Sequence, residues 1–289
     1  MTTVTTTTTT GAAPAPASGL AQLRPASAAY PRAFLALLHR DLHVLRKHWF
    51  LFFVRTIMQP LLLMFVFTYV FPKIGQGVGG ARGSAEFTTT LVAGVVGLAI
   101  VFQGIQAVAL PLVQEFGYSK EIEDRVLAPL PTKIVGIQKI VTGMLNGLIA
   151  AVLVFPIAAV VPATPVHLKI HWLVLLTLAP LAGWVAAALG LVLGTRVAPQ
   201  NVSYLFALVV LPLTFLGAIY YPWKTLEAIP WLQVLVLINP LVYMCEGFRA
   251  ALTSGVPHMS LWAIYGGLMA FAVVLTWVGI DGFSKRTTS

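Results

Sequence analysis

Four of the chain's nine acidic residues, Glu115, Glu121, Glu123 and Asp124, fall within ten positions and stand beside Lys120, Arg125 and Lys133. Two histidine pairs, His39/His43 and His167/His171, are spaced i and i+4, which on a helix puts both rings on one face and can hold a metal. Neither pair has a third ligand close in sequence, so a titratable residue near an interface is the simpler account of each. The single cysteine, Cys245, cannot form an internal disulfide, and its apolar context without a nearby histidine is that of an inert buried thiol. No Ser/His/Asp set in a recognisable local context occurs. There is no Gly-Lys pair anywhere, hence no phosphate-cradling P-loop. The residues therefore assign no catalytic, cofactor-binding or metal site, and the acidic cluster calls for another explanation.

That explanation starts from the elements that carry it. Of 289 residues, 58% are hydrophobic and 9% charged, whereas a soluble domain carries about a quarter charged residues. The chain reads as an all-α membrane protein. Runs long and apolar enough to cross a bilayer predict six transmembrane helices, at about 51–71, 87–113, 134–161, 171–195, 202–219 and 261–280. With six crossings both termini lie on one side, and thirteen of the eighteen lysines and arginines flank that side, which makes it cytoplasmic. The net charge of +9 is then explained by topology and anionic lipid headgroups; no basic stripe interleaved with aromatics points to nucleic acid.

Residues 1–30, rich in Thr, Ala and Pro, predict a disordered tail without the basic and apolar regions of a cleaved signal. In residues 32–49, Phe34, Leu38, Leu42, Leu45 and Trp49 recur at spacings of three or four while Arg32, Arg40, Arg46 and Lys47 fall off that line. This predicts an amphipathic helix in the inner interface, with a simple lead-in to the first span as the alternative.

The acidic cluster sits in a cytoplasmic loop, 114–133, bracketed by Pro111 and by Pro129 and Pro131. Glu121 and Arg125 have the favourable i,i+4 order, and Phe116, Ile122, Val126 and Leu127 are apolar. A short helix of this kind either docks a partner protein through its apolar residues or is a solvated connector. Across the membrane, residues 220–250 are apolar enough to enter the bilayer but are broken by Pro222, Pro230, Asn239 and Pro240. They predict a re-entrant segment, because broken backbone at membrane depth must pack against protein or a wet cavity. Glu246 and Arg249, at i and i+3, form either a structural ion pair or part of a pathway exit. The polar groups nearest mid-membrane, Gln59, Gln103, Gln106 and Asn146, either line a path or bond helices to one another.

Two stretches resemble a known family, the integral membrane permeases of ABC-2 type ATP-binding cassette exporters. EFGYSKEIEDRVLAPLPTKIVGIQKI is similar to that family's cytoplasmic segment between spans two and three. FLGAIYYPWKTLEAIPWLQVLVLINPLVYMCEGFRAAL is similar to its region before the last span, with Pro-Trp-Leu, Asn-Pro-Leu-x-Tyr and Gly-Phe-Arg elements. The resemblance covers about residues 31–285. It implies a permease that pairs with a second permease chain, identical or different, and docks two cytoplasmic ATPase subunits, which bind the ATP and Mg. It also implies an ATPase-coupling role for Glu115, Tyr118, Glu121, Ile122, Glu123, Asp124 and Arg125, ATPase contact by the interfacial helix, and outer closure by Pro230, Asn239, Pro240, Tyr243, Glu246 and Arg249. The expected cargo is a drug, lipid, glycan or other hydrophobic compound, exported across a bacterial plasma membrane. An ion-gradient carrier is the alternative, but it would place ionisable residues mid-membrane, and the span centres carry almost none. A membrane-embedded transferase is the other.

Overall fold

The computed structural model describes residues 26–75, 80–116, 131–163, 166, 168–197, 201 and 206–288. Among them there is no strand, and the all-α fold class is as expected. The chain opens with α1 (Ala26–Lys47), so residues 26–30, expected in the tail, extend the amphipathic helix. His48 interrupts it, and Trp49, expected to end it, instead begins α2 (Trp49–Lys73). A π-helical turn, Phe65–Val70, lies within α2, where the Thr68 hydroxyl donates to the Met64 carbonyl at 2.7 Å and so joins the backbone ladder.

Next come α3 (Gly80–Gln114), α4 (Thr132–Val160) and α5 (Trp172–Arg196). Lys133, expected in the loop before the third span, is helical, since Pro131 sets the start of α4. Helix α6 (Leu211–Phe215) follows a π-helical turn at Phe206–Val210. After the 3₁₀ turn Trp223–Ala228 come α7 (Pro230–Leu235), α8 (Pro240–Leu252) and α9 (Leu261–Thr288). Helix α9 runs beyond the expected end at 280 because its polar tail stays helical: Lys285 bonds Asp281 at 2.8 Å one turn back.

Among the described residues, five helices are long and apolar enough to cross a membrane: α2, α3, α4, α5 and α9. The expected fifth span, 202–219, differs in its described part: helix runs without a break over 206–215, π-helical and then α-helical, and 216–219 are turn and bend. The chain nevertheless passes from one end of the bundle to the other here. The Val197 carbonyl accepts from Arg286, which stacks over Phe116 just beyond α3's last residue. Ile219 instead lies against Gly94, twenty residues earlier on α3, which corresponds to about 30 Å of helix.

Helix α3 is the axis of the bundle. Its apolar window is 83% buried, against 17% for α2 and 22% for α9, so the latter two carry most of the surface left for lipid or another chain. Glycines let α4 and α5 approach it. A Cβ on Gly143 would lie 2.5 Å from Val108 Cγ2 and 2.8 Å from Ala187 Cβ, and one on Gly190 2.8 Å from the Ile105 carbonyl. Both Gly-x-x-x-Gly pairs, Gly143/Gly147 and Gly190/Gly194, are therefore packing contacts.

Candidate functional site

Two polar clusters occupy opposite ends of this bundle. At the re-entrant end, Pro230–Ile238 and Pro240–Leu252 meet at 99° around Asn239. The local sequence dictates the corner. Pro240 stands at the first position of α8, where it needs no hydrogen-bond donor, and the Asn239 side chain caps α8 by accepting from Leu241 N at 2.9 Å. The same amide donates to the Leu213 carbonyl at 2.8 Å, tying the corner to α6. At the far end of α8, its orphan carbonyls at Ala251 and Leu252 accept from His171 N at 2.7 Å and Lys169 N at 3.0 Å.

Every residue of α8 except Tyr243 is buried. Within it, Glu246 and Arg249 have no exposed surface and form an ion pair of 2.7 Å. Glu246 Oε1 also accepts from Trp223 N at 2.8 Å, and its Oε2 from Met259 N at 2.7 Å. Arg249 donates to the carbonyls of Ala218 and Ile219, the latter at 3.0 Å. Ala218 holds φ 53°, a left-handed conformation that costs a non-glycine residue on the order of 1 kcal/mol. Two charges on one helix thus bind the segments before the 3₁₀ turn, at its start, and before α9. Of the predicted re-entrant set, Pro230 is exposed at the first turn of α7, and Tyr243 packs its ring against Phe271 at 6.0 Å.

Two apolar clefts flank this corner. One, of about 370 Å³, is lined by Trp223, Lys224, Tyr243, Met259, Ser260 and Gly267. The other, of about 330 Å³, is lined by Leu208, Pro212, Leu216, Leu235, Ile238 and Asn239 among others.

At the basic end, Glu115 is buried and accepts from Lys139 Nζ at 2.8 Å. The rest of the expected coupling set, Tyr118, Glu121, Ile122, Glu123, Asp124 and Arg125, lies outside the described residues, as does His167. Helix α1 packs on α4 with Phe34, Leu38, Leu42 and Leu45 half-buried, whereas Trp49 remains 61% exposed. Sequence reasoning missed what fixes it there: Gln138 Nε2 donates to Asp41 Oδ2 at 2.8 Å and to Thr142 Oγ1 at 3.0 Å. One signal was available, since Asp41 is the sole acidic residue before Glu86. His39 and His43 stack ring on ring, 6.4 Å apart, on the same helix.

The proposed pathway residues divide. Gln59, Gln103 and Gln106 converge with Arg55 and Thr56 on a cavity of about 20 Å³ between α2 and α3, room for one water. Gln106 accepts from Arg55 Nε at 2.8 Å, a bond that joins the two spans. Asn146 is elsewhere and donates to the Thr142 carbonyl of its own helix at 2.8 Å.

The architecture of long spans followed by a buried, bent helix pair can now be set beside known proteins. The profile of the family described as ABC-2 type transporter matches residues 32–253. The chain belongs to that family. Residues 32–253 take in α1, the loop 114–133 and the whole bent pair, and leave α9 outside the match. The chain is also 26% identical, over 238 residues, to the inner membrane transport permease YadH of Escherichia coli strain K12; the match covers 81% of this chain and 88% of that one. The same figures hold for the permease of that name in Escherichia coli O157:H7 and in Shigella flexneri. An ABC-2 type transporter, with five helices among the described residues long and apolar enough to cross a membrane, is what these findings establish.

Proposed function

We propose that this chain is the permease half of an ATP-driven exporter of a hydrophobic compound, drug, lipid or glycan. The chain lacks a P-loop, so ATP and Mg bind to a separate nucleotide-binding chain in two copies. The loop 114–133, with Glu115, Tyr118, Glu121, Ile122, Glu123, Asp124 and Arg125, docks that ATPase. A second permease chain, identical or different, and lipid share the exposed apolar faces of α2 and α9, with both termini in the cytoplasm. The observation that carries this reading is the pairing, within one family match, of the charged loop 114–133 at the basic end with the buried bent pair at the other. A hydrophobic cargo is supported by the two apolar clefts at the re-entrant end, whose volumes fall in the range of small-molecule sites.

Purification of the tagged chain from its native membrane tests the reading. A P-loop ATPase is expected to co-elute, and Glu121→Ala, Asp124→Ala or Arg125→Ala to release it while the spans stay folded. Absence of any such ATPase would overturn the reading; transport that survives ATP depletion and stops when the proton gradient collapses would replace it with an ion-driven carrier.

A further inference from the structure

At the basic end, the two residues that follow α3, Glu115 and Phe116, face different partners. Glu115 accepts from Lys139 of α4 at 2.8 Å, with side chains 10% and 6% exposed. Phe116 packs edge-on against Phe283 of α9, centroids 5.9 Å apart, and lies under the Arg286 guanidinium at 4.7 Å. Arg286 reaches further. Its Nη1 donates to the carbonyls of Thr195 and Val197, each at 3.0 Å, and more weakly to Gly194 at 3.4 Å. These carbonyls stand at the C-terminus of α5, where the helix itself supplies no donor and a cation is favoured. One guanidinium thus caps α5 from α9 while stacking on Phe116, two residues beyond α3. Lys139 has a comparable position, because its neighbour Gln138 holds α1 through Asp41.

We propose that Lys139 and Arg286 are positioning residues that carry a displacement of Glu115 and Phe116, the two residues before the loop 117–130, into α4, α5 and α9. The proposal rests on the reading that this loop receives the ATPase. Both contacts are anchored in helices other than α3. A displacement of Glu115 and Phe116 must therefore either drag α4 and α9 or break a buried charge pair and an aromatic contact. A cap on α5 needs none of this: an arginine serving that purpose alone would have no use for the Phe116 ring. The two contacts also divide the output. Lys139 leads to α4 and α1, Arg286 to α5 and α9.

The test uses the complete complex with its ATPase in lipid nanodiscs. Spin labels go on cysteines at Val160, after its 83% exposed side chain at the far end of α4, and at Ser260, just before α9. Cys245, fully buried, stays unlabelled. The probe is ATP trapped with vanadate, read as the share of molecules at the shifted distance. In the unmutated complex trapping shifts the distance. Phe116→Leu keeps the apolar volume and the cap on α5 but removes the aromatic face, and Arg286→Gln removes the cation. Each should cut the shifted share by about 2- to 30-fold, the range for residues that modulate coupling without touching a ligand. ATP hydrolysis should continue, and Phe116→Tyr should restore the shift. Lys139→Gln should reduce the shift as well. A shift preserved in Phe116→Leu and Arg286→Gln overturns the clamp while leaving the docking reading intact. No nucleotide-driven shift in the unmutated complex overturns both. If hydrolysis and shift fall together and Phe116→Tyr restores neither, the residues are structural and the proposal fails.

Discussion

The two buried ion pairs, Glu246–Arg249 and Glu115–Lys139, have nearly the same length, 2.7 and 2.8 Å, and opposite construction. The first is made within one turn of one helix, and its charges are completed by backbone: two N–H groups on the carboxylate, two carbonyls on the guanidinium. The second joins Lys139 of α4 to the residue that follows α3, in positions 24 apart in sequence. Desolvating a charge costs several kcal/mol, which is repaid only where further hydrogen bonds satisfy what the partner leaves over. The re-entrant pair has four such bonds, with Arg249 Nε the one atom of the pair left without a partner among the described residues, and through them it ties together the segments at Ala218–Ile219, Trp223 and Met259. The pair at the basic end bridges two helices and stands beside the loop that the proposed function assigns to the ATPase. Under the proposed function the end braced within one helix is the closed end, and the end braced between helices is the yielding one.

The most direct way to break this contrast is to remove one cation from each end. Arg249→Ala strands a fully buried carboxylate and should cost about 3–5 kcal/mol, seen as loss of folded protein on thermal unfolding in detergent. Lys139→Ala should cost less, because the Glu115 side chain keeps 10% of its surface exposed and the Glu246 side chain none. Equal losses would mean that both ends are rigid in the same way.

Gly143 sharpens the yielding end. It stands one turn after Lys139, and a methyl there meets Val108 and Ala187, so Gly143→Ala should push α4 from α3 at a cost of about 1–3 kcal/mol. The same variant should speed amide exchange around Lys139 and leave α8 protected; faster exchange in α8 would show that the ends are not separate bodies. Asp41→Asn is milder. It weakens the bonds from Gln138 and Thr142 by about 1 kcal/mol, and the expected result is faster exchange confined to α1.

How far these ends could be seen in the sequence depended on range. Hydropathy sees runs, so it located five long spans to within a few residues, and it stopped short on α9, where Asp281, Lys285 and Arg286 continue the helix in polar residues. It took 202–219 as one span because apolar content does not reveal that the helix changes character at Phe206–Val210 and ends at Phe215. Prolines and Asn239 marked the re-entrant corner since their constraints act locally. The spacing of Glu246 and Arg249 predicted their pairing for the same reason. Lys139, Arg286 and Asp41 were invisible as partners: Lys139 and Arg286 looked like ordinary positive flanks, and all three contacts span 24 to more than 160 residues of chain. Glu115 was placed in the coupling set through its loop, but nothing local showed that a lysine on the next span would bury it.

The smallest expected effect tests whether α2 belongs to either body. Thr56 is buried between α2 and α3 next to Gln59 and Gln103, and its hydroxyl has no hydrogen-bond partner in the structure. An unsatisfied buried hydroxyl contributes a desolvation penalty and no bond, so Thr56→Val, similar in shape, should be neutral or stabilising by up to about 1 kcal/mol. Its neighbour behaves differently, because Arg55 bonds Gln106 across the two spans; Gln106→Leu removes that acceptor and should loosen α2 by about 1–3 kcal/mol. Thermal unfolding of both variants in nanodiscs checks the pair. If Thr56→Val costs as much as Gln106→Leu, the hydroxyl is bonded in the membrane and α2 is held as firmly as the closed end. If it is neutral, α2 is joined to the axis of the bundle chiefly through Arg55 near the basic end, and it is free to move with the yielding end.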